Sequence, residues 1–178
     1  MVGEAIRSAS QAHPPAPWAP HLPVRERGPG LTLYLDTSAF VKAFLDEEGS
    51  DVVQQLLLED APAASSRIAH VECQAAFART ARERRISRAQ LGVVRRAFEE
   101  RWGDLIVIEL GADLAGAAGR LVHDQPLRAA DAIHLASAVS LAAGVPDDTG
   151  FACWDGRLWT AAARHGFRMI PAALPRRA

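Results

Sequence analysis

The chain has 178 residues, 49% of them hydrophobic, which suffices for one domain with a substantial core. Its formal net charge of -1 carries no global polyanion signature, so nucleic-acid binding has to rest on a local basic patch. No apolar run approaches the ~18 residues of a membrane-spanning helix, and Cys73 and Cys153 form no CxxC pair, which predicts a soluble cytoplasmic protein with no membrane span, zinc motif or disulfide.

Residues 1–30 hold five prolines between Pro14 and Pro23, end on Gly28-Pro29-Gly30, and lack the apolar core of a signal peptide. They read as a Pro-rich disordered tail, which is also what an over-extended gene start would leave. Regular structure is predicted from Leu31, with Leu31-Thr32-Leu33-Tyr34-Leu35 as a strand and residues 39–45 as a helix. Ser50 is placed to cap a second helix carrying Val52, Val53, Leu56 and Leu57 on one face. A short strand over residues 61–65 leads into a long helix over 67–85. Ser87-Arg88-Ala89-Gln90 has the capping-box pattern that opens another helix toward Trp102, so the two form a helical hairpin. Residues 105–110 predict a strand, 112–123 a helix, and 129–143 a further helix stopped by Gly144-Val145-Pro146. Residues 150–153 predict a strand, 157–165 a helix and 167–170 a last strand. This alternation predicts an α/β fold with a largely parallel sheet.

Four carboxylates stand out on that framework. Asp36 directly follows the first strand; the carboxyl ends of such strands are where ligands bind, and an N-cap role is the alternative. Glu72 lies in the early turns of the 67–85 helix, as either a site carboxylate or an ordinary solvated glutamate. Asp131 opens Ala129-Ala130-Asp131-Ala132-Ile133-His134-Leu135-Ala136, where its charge suits the helix dipole; a cation would compensate it if those small and apolar neighbours are buried. His134 shares a helix face with it and reads as a packed, hydrogen-bonded histidine in preference to a metal ligand. Asp155 stands after the 150–153 strand and before Gly156, a site position or a turn aspartate. Three of the four fall at strand or helix boundaries on the same end of a parallel sheet, which points to one shared site. Hard oxygen ligands suit magnesium or manganese, and magnesium keeps several waters while contacting one or two carboxylates.

The basic patch is sought between Arg79 and Arg101, where eight arginines face Glu83, Glu99 and Glu100. This hairpin is the expected phosphate-binding surface, with a solvated helix face as the alternative. Asp46, Glu47, Glu48, Asp51, Glu59 and Asp60 form an acidic stretch suited to solvent or a partner.

In chain order, LYLDTSAFVKAFLDEEGS, IAHVECQAAFAR, LRAADAIHLASA and FACWDGRLWTAA resemble the PIN domain, particularly the VapC-type toxin ribonucleases of type II toxin–antitoxin systems, over residues 31–172. The resemblance implies a three-layer α/β/α domain over 31–172, followed by a short tail at 173–178. It carries the family's acidic quartet onto Asp36, Glu72, Asp131 and Asp155 as catalytic metal ligands, and the hydroxyl beside the first aspartate onto Ser38. It further implies Mg2+, or Mn2+, as cofactor, RNA as substrate, a small cognate antitoxin that offers an arginine to the acidic cluster, and a homodimer. Many relatives place Thr or Ser where this chain has Cys153, which removes a polar contact near the metal while keeping the carboxylates. In the implied mechanism the carboxylates hold a cation that lowers the pKa of a bound water and balances charge gathering on phosphorus.

Two rivals differ in class. Aspartyl-phosphate phosphatases also begin from an aspartate after a strand, but need a second one two residues later, where this chain has Ser38. A non-catalytic PIN-like binding or scaffolding module is the other, and retention of all four acidic residues argues against it.

Overall fold

The computed structural model describes residues 30–59, 61–145 and 148–174. The expected Pro-rich tail up to residue 29, the last four residues of the expected C-terminal tail, Asp60 and Pro146 lie outside the described residues. Five strands, β1 (Leu31–Leu35), β2 (Ala63–Ser66), β3 (Ile106–Ile108), β4 (Asp148–Ala152) and β5 (Arg168–Ile170), pair in parallel throughout, in the order β3-β2-β1-β4-β5. The helices are α1 (Thr37–Phe40), α2 (Ser50–Leu58), α3 (Arg67–Arg82), α4 (Arg88–Gly103), α5 (Ala112–Asp124), α6 (Ala129–Gly144) and α7 (Gly156–Arg164).

Alternating side chains split β1 between two cores. Leu33 and Leu35 join Phe40, Phe77 and Phe98 on the face covered by α1 to α4, while Tyr34 joins Leu135, Phe151 and Leu158 on the face covered by α6 and α7. Ala118, Ala132 and Ala136 seat α5 on α6 through small side chains. These are the three layers the sequence implies. The chain leaves β1 toward β2 on one side and returns to β4 on the other. The carboxyl ends of β1 and β4 therefore form the topological switch point at which open parallel sheets place ligands.

Several boundaries differ from expectation. The helix expected over 39–45 is only α1 followed by a 3-10 turn, Val41–Ala43. Val41, Ala43, Phe44 and Leu45 are all buried, so this segment has no solvent face and packing, not periodicity, sets its path. Ser50 does not cap α2: Gly49 does, at φ 86, and a Cβ on Gly49 would lie 2.6 Å from the Trp154 indole nitrogen. The Ser50 hydroxyl instead donates to the Leu45 carbonyl at 2.7 Å and accepts from the Glu47 N–H at 2.9 Å, closing the preceding loop. Val53 is buried beneath α2, whereas Val52 is 39% exposed and does not share its face. α3 stops at Arg82 because the chain turns through Arg84 at φ 58. β3 is shorter than the run 105–110 because its neighbour β2 offers only four residues to pair.

The hairpin of α3 and α4 forms as expected, with the Ser87 hydroxyl accepting from the Gln90 N–H at 3.2 Å and the Gln90 side chain accepting from the Ser87 N–H at 2.8 Å. Phe77 and Phe98 meet between the helices at 5.5 Å. Among the described residues no helix is long and apolar enough to cross a membrane.

Candidate active site

Asp36 is the first residue beyond β1, with its N–H bonded to the Ala152 carbonyl of β4 at 3.1 Å. Its extended backbone ends the strand, and its Oδ1 caps α1 by accepting from the Ala39 N–H at 2.9 Å and the Ser38 hydroxyl at 2.8 Å. The N-cap alternative is thus realised. Asp36 is only 4% exposed, and burial raises its carboxyl above the usual aspartate range, against the opposing pull of His134 and of these hydrogen bonds. Ser38 also accepts the Trp154 N–H at 2.8 Å, so its hydroxyl ties the end of β1 to the chain leaving β4.

Glu72, on α3, is not the solvated glutamate left open by the sequence. Its Oε2 accepts from the Thr37 hydroxyl and lies 2.9 Å from His134 Nε2. Burial pushes its carboxyl up, but the bonds from His134 and Thr37 outweigh that and hold it below the usual glutamate range. His134 is 2% exposed, and its Nδ1 lies 2.9 Å from the Tyr34 hydroxyl. The packed, hydrogen-bonded histidine expected on α6 is what the structure contains.

Asp131 and Asp155 stand at the N-termini of α6 and α7. Asp131 accepts the Arg128 N–H on Oδ2 at 3.1 Å, and Asp155 accepts the Arg157 and Leu158 N–H groups on Oδ1 at 2.9 and 3.1 Å. Their carboxylates bond to their own helices, whereas Asp36 is tied through Ser38 to Trp154, and Glu72 is tied to Thr37 and His134. As placed, no three His, Cys, Asp or Glu side chains among the described residues already meet at metal-ligating spacing. All four carboxylates share one feature: these hydrogen bonds fall on a single oxygen, and the second takes no part in them.

Cys153 is fully buried on the Tyr34 side of the sheet, and its thiol donates to the Asp155 carbonyl at 3.4 Å. Burial pushes that thiol far up, so it stays protonated. The sequence reading passed over Thr37 and Tyr34. Tyr34 is the chain's single tyrosine, and a buried tyrosine hydroxyl calls for a partner, a signal that pointed toward His134.

The expected basic surface divides in two. Arg82, Arg84, Arg85 and Arg88 line an open depression of about 560 Å³ at the hairpin turn, and Arg95 and Arg96 line another of about 480 Å³. Arg85 reaches Glu47 at 3.7 Å and Arg101 reaches Asp104 at 3.6 Å. At 1.5 Å per residue, Arg82 lies roughly 15 Å along α3 from Glu72. Arg128 and Arg157, which the sequence reading also missed, are exposed and stand within three residues of Asp131 and Asp155.

The PIN domain family profile matches residues 33–151. Ribonuclease VapC45 and Ribonuclease VapC49, from two strains of Mycobacterium tuberculosis (CDC 1551 / Oshkosh and ATCC 25618 / H37Rv), are each 41% identical over 142 residues, covering 80% of this chain and 96% of their own length. The fold is similar to a chain of a toxin–antitoxin complex from Klebsiella pneumoniae, with a TM-score of 0.55 and 17% identity over 80% of this chain and 99% of that one.

Proposed function

Because the chain belongs to the PIN domain family, we propose that it is a divalent-metal-dependent endoribonuclease of the cytoplasm and the toxin of a toxin–antitoxin pair. We take residues 31–172 as the nuclease unit. The observation that carries the reading is the set of four carboxylates, Asp36 beyond the carboxyl end of β1, Asp131 and Asp155 at helix N-termini and Glu72 within α3, each with one oxygen fixed by the protein and the other outside those bonds. The ribonuclease names of the relatives support the substrate class.

The residues fit a hard cation. All four donors are carboxylates, which suit magnesium or manganese, and a nearby cation would relieve the cost of keeping buried Asp36 ionised. Magnesium needs only one or two direct carboxylates, so the four need not converge beforehand. Asp36 and Asp131 are assigned as direct ligands, with Glu72 and Asp155 ligating or orienting water. When bound, the cation supplies an activated water and positive charge opposite the phosphate.

The chain's own residues supply the rest. Ser38 fixes the rotamer of Asp36 through Oδ1, and Thr37 with His134 fixes Glu72 through Oε2. Arg128 and Arg157 stand at helix N-termini, where backbone dipoles and side-chain charge both draw phosphate. The hairpin arginines extend that attraction away from the site. An antitoxin arginine set among the acidic residues would block the site with charge-assisted hydrogen bonds. A homodimer completes the expected assembly.

The test is RNA cleavage by metal-stripped protein titrated with magnesium or manganese. Cleavage that appears with the metal supports the reading, and none at any concentration favours a non-catalytic PIN-like module.

A further inference from the structure

We propose that His134, anchored by Tyr34, is a positioning residue that holds Glu72 in the orientation the acidic site uses; this rests on the ribonuclease reading above. Glu72 sits on α3 in one helical layer, and His134 comes from α6 in the other. They meet past the end of the sheet, Nε2 to Oε2 at 2.9 Å.

The direction of the Glu72 bond follows from donor counting. An ionised carboxylate only accepts, so Nε2 carries the proton on the Glu72 side. Tyr34 is fully buried, and its hydroxyl, 2.9 Å from Nδ1, can donate to or accept from that nitrogen and anchors the ring in either case. The tyrosine ring is itself held against Phe151 at 5.1 Å and meets the His134 ring edge-on at 6.1 Å. Neither member can turn without losing a buried partner. Thr37 closes the arrangement: its hydroxyl donates to the same Glu72 oxygen and lies 3.1 Å from Nε2.

The consequence is geometric. A glutamate side chain has several rotamers, but with Oε2 clamped from two sides, the position of Oε1 is fixed relative to α6, the helix carrying Asp131 one turn before His134. His134 thus sets the register between two acidic residues of opposite layers without itself contacting the cation.

The test is manganese binding to the full chain without RNA, followed by the EPR signal of free Mn2+, together with RNA cleavage and melting temperature. His134→Leu should weaken Mn2+ binding about tenfold or more, the usual consequence of removing a group that orients a ligand. His134→Gln, whose amide nitrogen can replace Nε2, should recover most of it. Tyr34→Phe deletes only the hydroxyl and should weaken binding in the same direction, which keeps the test decisive if His134→Leu does not fold. Wild-type affinity in folded His134→Leu or in Tyr34→Phe, or no rescue by His134→Gln, overturns the positioning role while leaving a binding and cleaving wild type, and so the ribonuclease reading, intact. A wild-type chain that neither binds Mn2+ nor cleaves RNA overturns both.

Discussion

Asp36 is the carboxylate whose charge is hardest to keep in the metal-free protein, because it is buried beside a capped helix end. Its folded-state pKa is raised, so the folded chain binds that proton more tightly than the unfolded one. The associated penalty is fully present above the raised value and disappears as pH falls through it toward the ordinary aspartate value. Asp36→Asn keeps an oxygen for Ser38 and Ala39 and removes the charge. It should therefore abolish cleavage, yet melt at or above the wild-type temperature at pH 7 without metal, with the gap closing as the pH is lowered toward 4. Glu72 has the opposite sign: its lowered carboxyl contributes stability above the usual glutamate value that is lost as pH falls through the folded one. The boundary positions of Asp36, Asp131 and Asp155 were legible because strand and helix ends can be read from periodicity, whereas Glu72, within α3, was set apart from an ordinary solvated glutamate by the resemblance alone. The partner of Glu72 was not legible, because periodicity on α3 says nothing about which residue of a helix from the opposite layer will face it.

The elements that the sequence misjudged are those governed by tertiary contact. The α2 cap fell to Gly49 and not Ser50 because the loop passes under Trp154, an encounter 105 positions away in the chain (154 − 49). Gly49→Ala should cost about 1–3 kcal/mol, the usual range for a residue forced into a sparsely populated backbone region. Urea unfolding measures this, and an unchanged midpoint would show that Trp154 moves aside without cost. The α3–α4 hairpin was legible from its capping box, and Arg82 near its turn lies roughly 15 Å along α3 from Glu72. Changing Arg82, Arg84 and Arg88 to Gln should raise KM for long RNA and lower the salt slope by roughly 1 for each phosphate no longer neutralised, with little effect on a short oligonucleotide. Changing Arg128 and Arg157 to Gln should raise KM for both. Steady-state kinetics with labelled RNAs of two lengths separates the two surfaces.

At the scale of the whole fold, the sheet carries Asp36 at its switch point, α3 carries Glu72 in one helical layer, and α6 and α7 carry Asp131 and Asp155 in the other, the arrangement on which the proposed site draws. The three-layer order was legible from strand–helix alternation and the motifs, whereas the strand order β3-β2-β1-β4-β5, which creates the switch point, is a packing outcome. In the proposed reaction, acidic residues and a cation deliver water to the phosphodiester, in place of attack by the neighbouring 2′-hydroxyl. End-group analysis of RNA cleaved by the purified chain, with and without EDTA, tests it most directly. The predicted products carry 5′-phosphate and 3′-hydroxyl ends, with the reaction stopped by EDTA and restored by excess magnesium or manganese. Ends bearing 2′,3′-cyclic phosphate, formed at an undiminished rate in EDTA, would contradict it.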